Sequence, residues 1–265
     1  MCRYDLAMEI RANCKINVGL HILDERPDGY HNIETIMYPI VDFYDTIRVE
    51  KSVDFSLVQT GIVADCEVEK NLVVKCFRLF QQHFPNITNV TIDLHKTIPF
   101  GAGLGGGSSD AVAMAKALNQ LFNLQLTSQQ LQELVRPLGA DCPFFVQNKP
   151  ALCEGIGEKI TLVEPILATK HIALIKPDVA ISTKEAYANV SLKNRHLPAW
   201  ELQNIADFHN DFEDYACGRF PILQAIKQEL LQQGAFYVAM SGSGSCIYGL
   251  FNRKPTIKNA YIFTL

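Results

Sequence analysis

The chain has 265 residues, 48% of them apolar and 20% charged, with a net charge of −4 and a sequence pI near 6.0. That length supports one large or two medium domains, and an acidic balance without a basic run argues against a nucleic-acid partner. No apolar run approaches the roughly 18 residues of a membrane span, the N-terminal "MCRYDLAMEIRANCK" is too charged for a secretory signal, and cysteines scattered from Cys2 to Cys246 without a CxxC pair argue for reduced, buried thiols in a cytosolic protein.

In chain order, "EIRANCKINVGLHIL" alternates, with Cys14, Ile16, Val18, Leu20 and Ile22 on one face and Lys15, Asn17, Gly19 and His21 on the other. That period predicts a half-buried strand. Strand-like runs follow at 35–41, 45–50, 55–59 and 90–95, and 71–84 reads as a helix carrying Leu72, Cys76, Leu79 and Phe80 on one side. Beyond a glycine-rich loop, Ala111, Ala115, Leu118 and Phe122 share a helical face. Thr127 and Gln130 make a capping box for the next helix, and Gly139 suits its end. Strands return at 151–154, 159–163 and in "HIALIKP"; Ser182 and Glu185 match a second capping box, opening a short helix through Tyr187. "FPILQAIKQELLQQG" is a helix stopped by Gly234, and "FYVAMSGSGSCIYGLF" reads as strand, small-residue turn, strand. Strands and helices that do not alternate regularly predict an α+β protein, in two lobes that meet in sequence at 149–150. The polar stretch 193–217, with Trp200, is expected to be a solvent-facing helix and loops and has no further account.

Between Pro99 and Ser109 stand five glycines and two serines, directly ahead of the helix at 111–122. Gly101, Gly103 and Gly106 satisfy G-x-G-x-x-G, but a dinucleotide-binding turn wants an acid about 20 residues onward. No acid lies between Asp110 and Glu133, and the Gly-Lys-Ser/Thr of a Walker A loop is absent too. What remains is the underlying physics. Glycines let backbone approach an anion, a helix N-terminus offers unpaired N–H groups and the positive end of its dipole, and Ser108 and Ser109 add hydroxyls. A turn that merely connects strand to helix would bear the entropy cost of those glycines without return. A phosphate cradle is the expected role.

Other candidates are less decided by local sequence. Asp141 lies in the apolar run "LGADCPFF", where a carboxylate is costly to bury unpaired, and a helix cap or turn aspartate fits as well as a chemical one. Lys15 and Asn17 share the polar face of the first strand, where a lone lysine is ordinarily a surface group. Tyr30 and His31 follow the turn "RPDG" and on their own would pack on the surface. The seven histidines lack metal-ligand spacing.

The loop Pro99-x-x-x-Gly103-Leu104-Gly105-Gly106-Gly107-Ser108-Ser109 resembles the ATP loop of the galactokinase, homoserine kinase and mevalonate kinase (GHMP) superfamily. Three further stretches resemble one of its families, the 4-diphosphocytidyl-2-C-methyl-D-erythritol kinases: "ANCKINVGLHILDERPDGYHNIETIM", "LGADCPFF" with "CEGIGEKI", and "SGSGSCIYGLF". They run in order from about Asn13 to Phe251 and so span nearly the whole chain.

The resemblance implies a two-lobed GHMP-kinase-like α+β fold with mixed and antiparallel sheets and its active site in the cleft between the lobes. An ATP-binding part would cover 1–150 and a C-terminal part 151–265. It implies transfer of the γ-phosphoryl group of ATP, with Mg2+, to the 2-hydroxyl of a cytidine diphosphate-linked methylerythritol in isoprenoid precursor synthesis. The implied base is Asp141, assisted by Lys15. Implied ATP contacts are Pro99, Phe100, Gly101, Ala102, Gly103, Leu104, Gly105, Gly106, Gly107, Ser108 and Ser109, with Asn71 and Lys96 near the adenine. Asn17, Tyr30, His31 and Tyr187 would bind the acceptor, the aromatics stacking on cytosine, and the small residues of 241–245 would let backbone approach its phosphates. Asp110 stands where some members of the family have asparagine, and an acid there opposes nucleotide binding unless it caps the helix or helps hold a cation. A cytoplasmic monomer or weak homodimer without membrane or nucleic-acid partner is expected. The alternatives are another GHMP kinase, of homoserine or mevalonate type, and a non-catalytic nucleotide sensor of the same fold.

Overall fold

The structure is a computed structural model that describes residues 7–62, 67–193 and 195–265. Cys2, Cys66 and the first six residues of the N-terminal reading lie outside the described residues, as does Asn194 in the polar stretch. The chain divides into two compact units, and neither is a continuous segment. The first comprises Met1–Cys14, Phe43–Phe100 and Gly105–Asn148; the second comprises Lys15–Asp42, Gly101–Leu104 and Lys149–Leu265.

In the first unit, β1 (Met8–Glu25) contributes its start and β2 (His31–Lys51) its second half. β3 (Ser56–Gly61) pairs in parallel with β4 (Val90–Lys96), which pairs antiparallel with β2 from Thr46 to Lys51. Phe43, Asp45, Ile47 and Val49 of β2 all point inward by period two. Four helices complete the unit: α1 (Leu72–His83), α2 (Gly106–Leu121), α3 (Ser128–Val135) and α4 (Cys142–Gln147). α1 packs on α2, and α2 and α3 each pack on α4. α2 is buried almost all round, from Ser109 through Ala115, which its small side chains make sterically feasible.

In the second unit, β1 and β2 continue as a hairpin whose turn is closed by Arg26 N to Tyr30 O (2.7 Å). β2 pairs antiparallel with β5 (Ala151–Gly155), from Ile33 opposite Gly155 to Met37 opposite Ala151, and β5 pairs with β6 (Lys159–Leu162). A four-stranded antiparallel sheet has the order β10-β7-β9-β8, formed by β7 (His171–Ile175), β8 (Tyr237–Met240), β9 (Ile247–Phe251) and β10 (Tyr261–Thr264). Helices α5 (Thr183–Ala188), α6 (Glu213–Arg219) and α7 (Pro221–Gln232) belong to this unit, whose core gathers Leu20, Ile22, Phe212, Leu223, Leu230 and Phe251.

The α+β class expected from the sequence holds, with one mixed and one antiparallel sheet. The two runs read at 35–41 and 45–50 are one strand: Val41 and Asp42, both exposed in succession, break the alternation without breaking the strand. The stretch 193–217 holds a 3-10 turn at Leu202–Asp207 and the start of α6. Of the described cysteines, Cys14, Cys76, Cys142, Cys153 and Cys246 are buried and Cys217 is half-buried. No helix among the described residues is long and apolar enough to cross a membrane.

Candidate active site

In the first unit, the second part of the glycine loop becomes α2. Its first intrahelical bond runs from Ser109 N to Gly105 O (2.9 Å), so the amides of Gly106, Gly107 and Ser108 precede the ladder. No side chain caps that end, and the unpaired donors with the dipole's positive end favour an anion.

Lys96, at the end of β4, does not reach outward. Its ammonium is buried and bonded to Asp45 and, at 2.6 Å, to Asp110 of α2. It also lies 5.3 Å from the exposed Phe100 ring and 3.4 Å from where a Cβ on Gly106 would sit. Asp45 further accepts from the backbone N–H of Thr97 (2.6 Å) and Ile98 (2.9 Å), tying down the approach to the loop. Burial pulls the Lys96 ammonium down, but Asp110 and Asp45 outweigh it and its pKa ends above the ordinary value. Burial pushes the Asp110 carboxyl up to about 8 against the pull of Lys96, with Asp45 adding to the rise. Asp110 is thus paired with a buried ammonium of the protein itself.

Asn71 caps α1, its Oδ1 accepting from Val73 N (2.9 Å) and its Nδ2 donating to Gln59 (3.3 Å). Asp141 occupies the cap position of α4 but makes no capping bond to it, and Pro143 stands in the first turn of that helix, where its missing N–H costs nothing. The helix-cap reading of Asp141 is thereby removed. Ser108 neighbours Asp141's segment: its carbonyl accepts from the Cys142 thiol at 3.8 Å.

In the second unit, Lys15 is only 3% exposed, which removes the surface-lysine reading. Its ammonium donates to Asn17 Oδ1 and to Gly103 O (3.0 Å), and its backbone N–H donates to Leu104 O (3.0 Å). Asn17 donates from Nδ2 to Thr35 (3.0 Å) and from its backbone to Ser241 Oγ (3.2 Å). Ser241 in turn donates to Gly103 O at 2.8 Å. The backbone N–H groups of Ser245 and Cys246 reach the carbonyls of Gly101 (3.3 Å) and Ala102 (3.2 Å). Gly101–Leu104 is thus clipped between β1 and the 241–246 turn. At Gly103, a Cβ would stand 1.9 Å from the Ser241 carbonyl oxygen, so the approach is open to glycine alone.

His31 and Tyr187 are brought ring to ring, with centroids 4.8 Å apart and planes 25° apart, and Tyr187 meets the edge of Phe212 at 4.9 Å. Tyr30 stays 59% exposed beside a turn closed by Arg26 on Asp28. Thr35, Asp45 and Asn210 are residues the sequence reading did not single out. Asp45 carried a signal, since it falls on the inward phase of Phe43, Ile47 and Val49; Thr35 and Asn210 carried none.

No group of three His, Cys, Asp or Glu among the described residues is placed to hold a metal ion.

The profile of the GHMP kinases N terminal domain matches residues 71–149, and that of the GHMP kinases C terminal matches 201–261. Relatives named 4-diphosphocytidyl-2-C-methyl-D-erythritol kinase include those of Azobacteroides pseudotrichonymphae genomovar. CFP2 and Bacteroides fragilis, each 44% identical over 92% of this chain and 92% of the relative. A crystal structure of 4-(cytidine 5'-diphospho)-2C-methyl-D-erythritol kinase superposes with a TM-score of 0.78 at 32% identity, over 92% of this chain and 90% of that one. Homoserine kinase from Cytophaga hutchinsonii superposes at a TM-score of 0.72 and 19% identity, over 95% of this chain and 87% of that one, a likeness of fold.

Proposed function

We propose, since the chain belongs to the family of 4-diphosphocytidyl-2-C-methyl-D-erythritol kinases, that it transfers the γ-phosphoryl group of ATP to the 2-hydroxyl of 4-diphosphocytidyl-2-C-methyl-D-erythritol. The products are the 2-phosphate and ADP, within the non-mevalonate route to isoprenoid precursors. The observation that carries the reading is Lys15, an ammonium buried on a carbonyl of the glycine loop. Desolvating a lysine is costly, and a charge held there is suited to phosphoryl chemistry.

Phosphoryl transfer asks mainly for positioning and charge neutralisation. The amides of Gly106, Gly107 and Ser108 receive phosphate oxygens at the head of α2, and the loop from Pro99 to Ser109 wraps the triphosphate. Asn71 and Lys96 shape the nucleotide's surroundings from within the fold, since both side chains are engaged by protein partners. Asp141 takes the proton of the 2-hydroxyl, and Lys15 stabilises the transferring charge. Tyr30, His31 and Tyr187 bind cytosine by stacking, worth about 1–3 kcal/mol per base, and Asn17 orients the acceptor. Magnesium, bound through the phosphates, would supply further neutralisation. Residues 1–150 then hold the ATP contacts, and 151–265 the C-terminal part of the enzyme. We place the enzyme in the cytoplasm, where reduced thiols such as those of Cys76, Cys142 and Cys246 persist, as a monomer or weak homodimer.

The test is ADP release with Mg-ATP and three alcohols: the cytidyl compound, homoserine and mevalonate. Turnover confined to the cytidyl compound and lost at least 1000-fold in Asp141→Asn is expected. Turnover with another alcohol alone would sink the acceptor assignment, and ATP binding without any turnover would leave a sensor.

A further inference from the structure

Residues Asn210 to Glu213 lie in the stretch that sequence reasoning left without an account. In the structure the side chains of Asn210 and Glu213 reach the backbone next to Ser241. Asn210 is 4% exposed and donates both amide hydrogens to backbone, to Met240 O and to Gly242 O, each at 2.8 Å. Its Oδ1 accepts from Phe212 N (3.0 Å), so the amide cannot flip without losing three bonds. Glu213 accepts from Met240 N at 2.6 Å. The segment is itself anchored to β1, where Leu20 N donates to His209 O (2.8 Å), Asp211 N to Leu20 O (2.9 Å) and Ile22 N to the Asp211 carboxylate (2.9 Å).

Both carbonyls flanking Ser241 are therefore gripped by one side chain. The turn that follows contains Gly242 and Gly244, both at positive φ, and such a turn has little stiffness of its own. With its two neighbours fixed, Ser241 has a fixed Cα–Cβ direction, and its hydroxyl meets Gly103 O at 2.8 Å. That same carbonyl receives the Lys15 ammonium at 3.0 Å.

We propose that Asn210 is a positioning residue for phosphoryl transfer. It holds the Met240–Gly242 backbone so that Ser241 fixes the Gly103 carbonyl, and that carbonyl fixes the Lys15 ammonium. The inference rests on the kinase reading. Asn210 touches neither substrate nor nucleotide; a small error in its grip is passed through one hydroxyl to the charge that meets the phosphoryl group, where misplacement on the order of 1 Å costs about 100-fold.

The experiment compares Asn210→Ala, Asn210→Asp, Ser241→Ala and the double variant Asn210→Ala/Ser241→Ala with wild type. Leu223→Ala, in the core of the same unit, serves as a control for stability alone. Turnover is measured well below each melting temperature, on protein whose near-UV circular dichroism is native. Asn210→Ala and Asn210→Asp are expected to lower kcat at least about 10-fold, with KM for the alcohol within about twofold. Ser241→Ala does the same, and the double variant loses no more than the worse single, because both act through one carbonyl. Leu223→Ala keeps kcat within about twofold. A wild-type kcat in Ser241→Ala overturns the proposal even if the Asn210 variants do not fold, and so does an equal kcat loss in Leu223→Ala. Should wild type phosphorylate homoserine or mevalonate in place of the cytidyl compound, the acceptor reading falls. The same kcat comparison on that alcohol then decides for or against Asn210.

Discussion

Asp110 illustrates how burial decides the behaviour of a single group. Its carboxyl is 3% exposed and bonded to Lys96, and burial pushes its pKa up to about 8. The native state then holds a proton that the unfolded chain, at the ordinary 3.8, has released. Stability from this group is fully present below about pH 4 and falls as pH rises through the window to about 8, by at most about 1.4 kcal/mol per pH unit. Lys96 does not oppose that slope, because its raised pKa contributes stability throughout the range below its unfolded value. Urea melts from pH 5 to 9 are expected to show wild type losing stability toward alkaline pH, and Asp110→Asn flattening the loss. An unchanged slope in Asp110→Asn would mean that Asp110 stays ionised in the fold. Asparagine keeps the acceptor for Lys96 while removing the titration.

Among elements, the loop from Gly101 to Gly107 shows that glycines in one motif serve different ends. Gly101 and Gly103 both have positive φ, but a Cβ on Gly101 would meet nothing within 4 Å, whereas one on Gly103 would meet the Ser241 carbonyl at 1.9 Å. Gly101→Ala is expected to cost about 1 kcal/mol, the strain of a left-handed L-residue, with kcat kept within about threefold. Gly103→Ala adds a backbone collision, is expected to cost about 3 kcal/mol or more, and removes activity by displacing the carbonyl that holds Lys15. Equal losses for the two in thermal melts would contradict the close approach. What the sequence made legible follows the same division. Local devices were readable: the Thr127–Gln130 capping box forms with both of its bonds, and the alternation of β1 put Lys15 and Asn17 on one face. At Ser182 only half of the box forms, because Tyr215 takes the Glu185 carboxylate (2.6 Å). Partners far apart in sequence were not readable. Asn210 matters through Met240 and Gly242, and Thr35 through Asn17 and Gly19, and no period or spacing announces either. α4 went unread because Cys142–Gln147 is too short for periodicity to register, and β10 because it lasts four residues at Tyr261–Thr264.

At the scale of the whole molecule, nucleotide binding should appear as added stability. A ligand at about 100 times its Kd adds roughly 2.7 kcal/mol, a rise in Tm of about 5–10 °C for a chain of this size. Mg-ADP is expected to give that rise in a thermal scan, and EDTA to remove most of it; no rise at millimolar Mg-ADP would sink the assignment of the loop to a nucleotide. The division of the chain has a consequence for its birth on the ribosome. The first unit ends at Asn148 and has all its segments once that residue has emerged. The second draws on Lys15–Asp42, made early, and on 149–265, made last. Leu20, Ile22 and Ile33 belong to the same core as Phe212, Leu223 and Phe251, so for roughly ten to forty seconds of elongation the nascent chain carries two strands whose apolar partners have not been synthesised. Over that interval the unpaired apolar faces of the two strands are open to aggregation, whatever the stability of the finished fold.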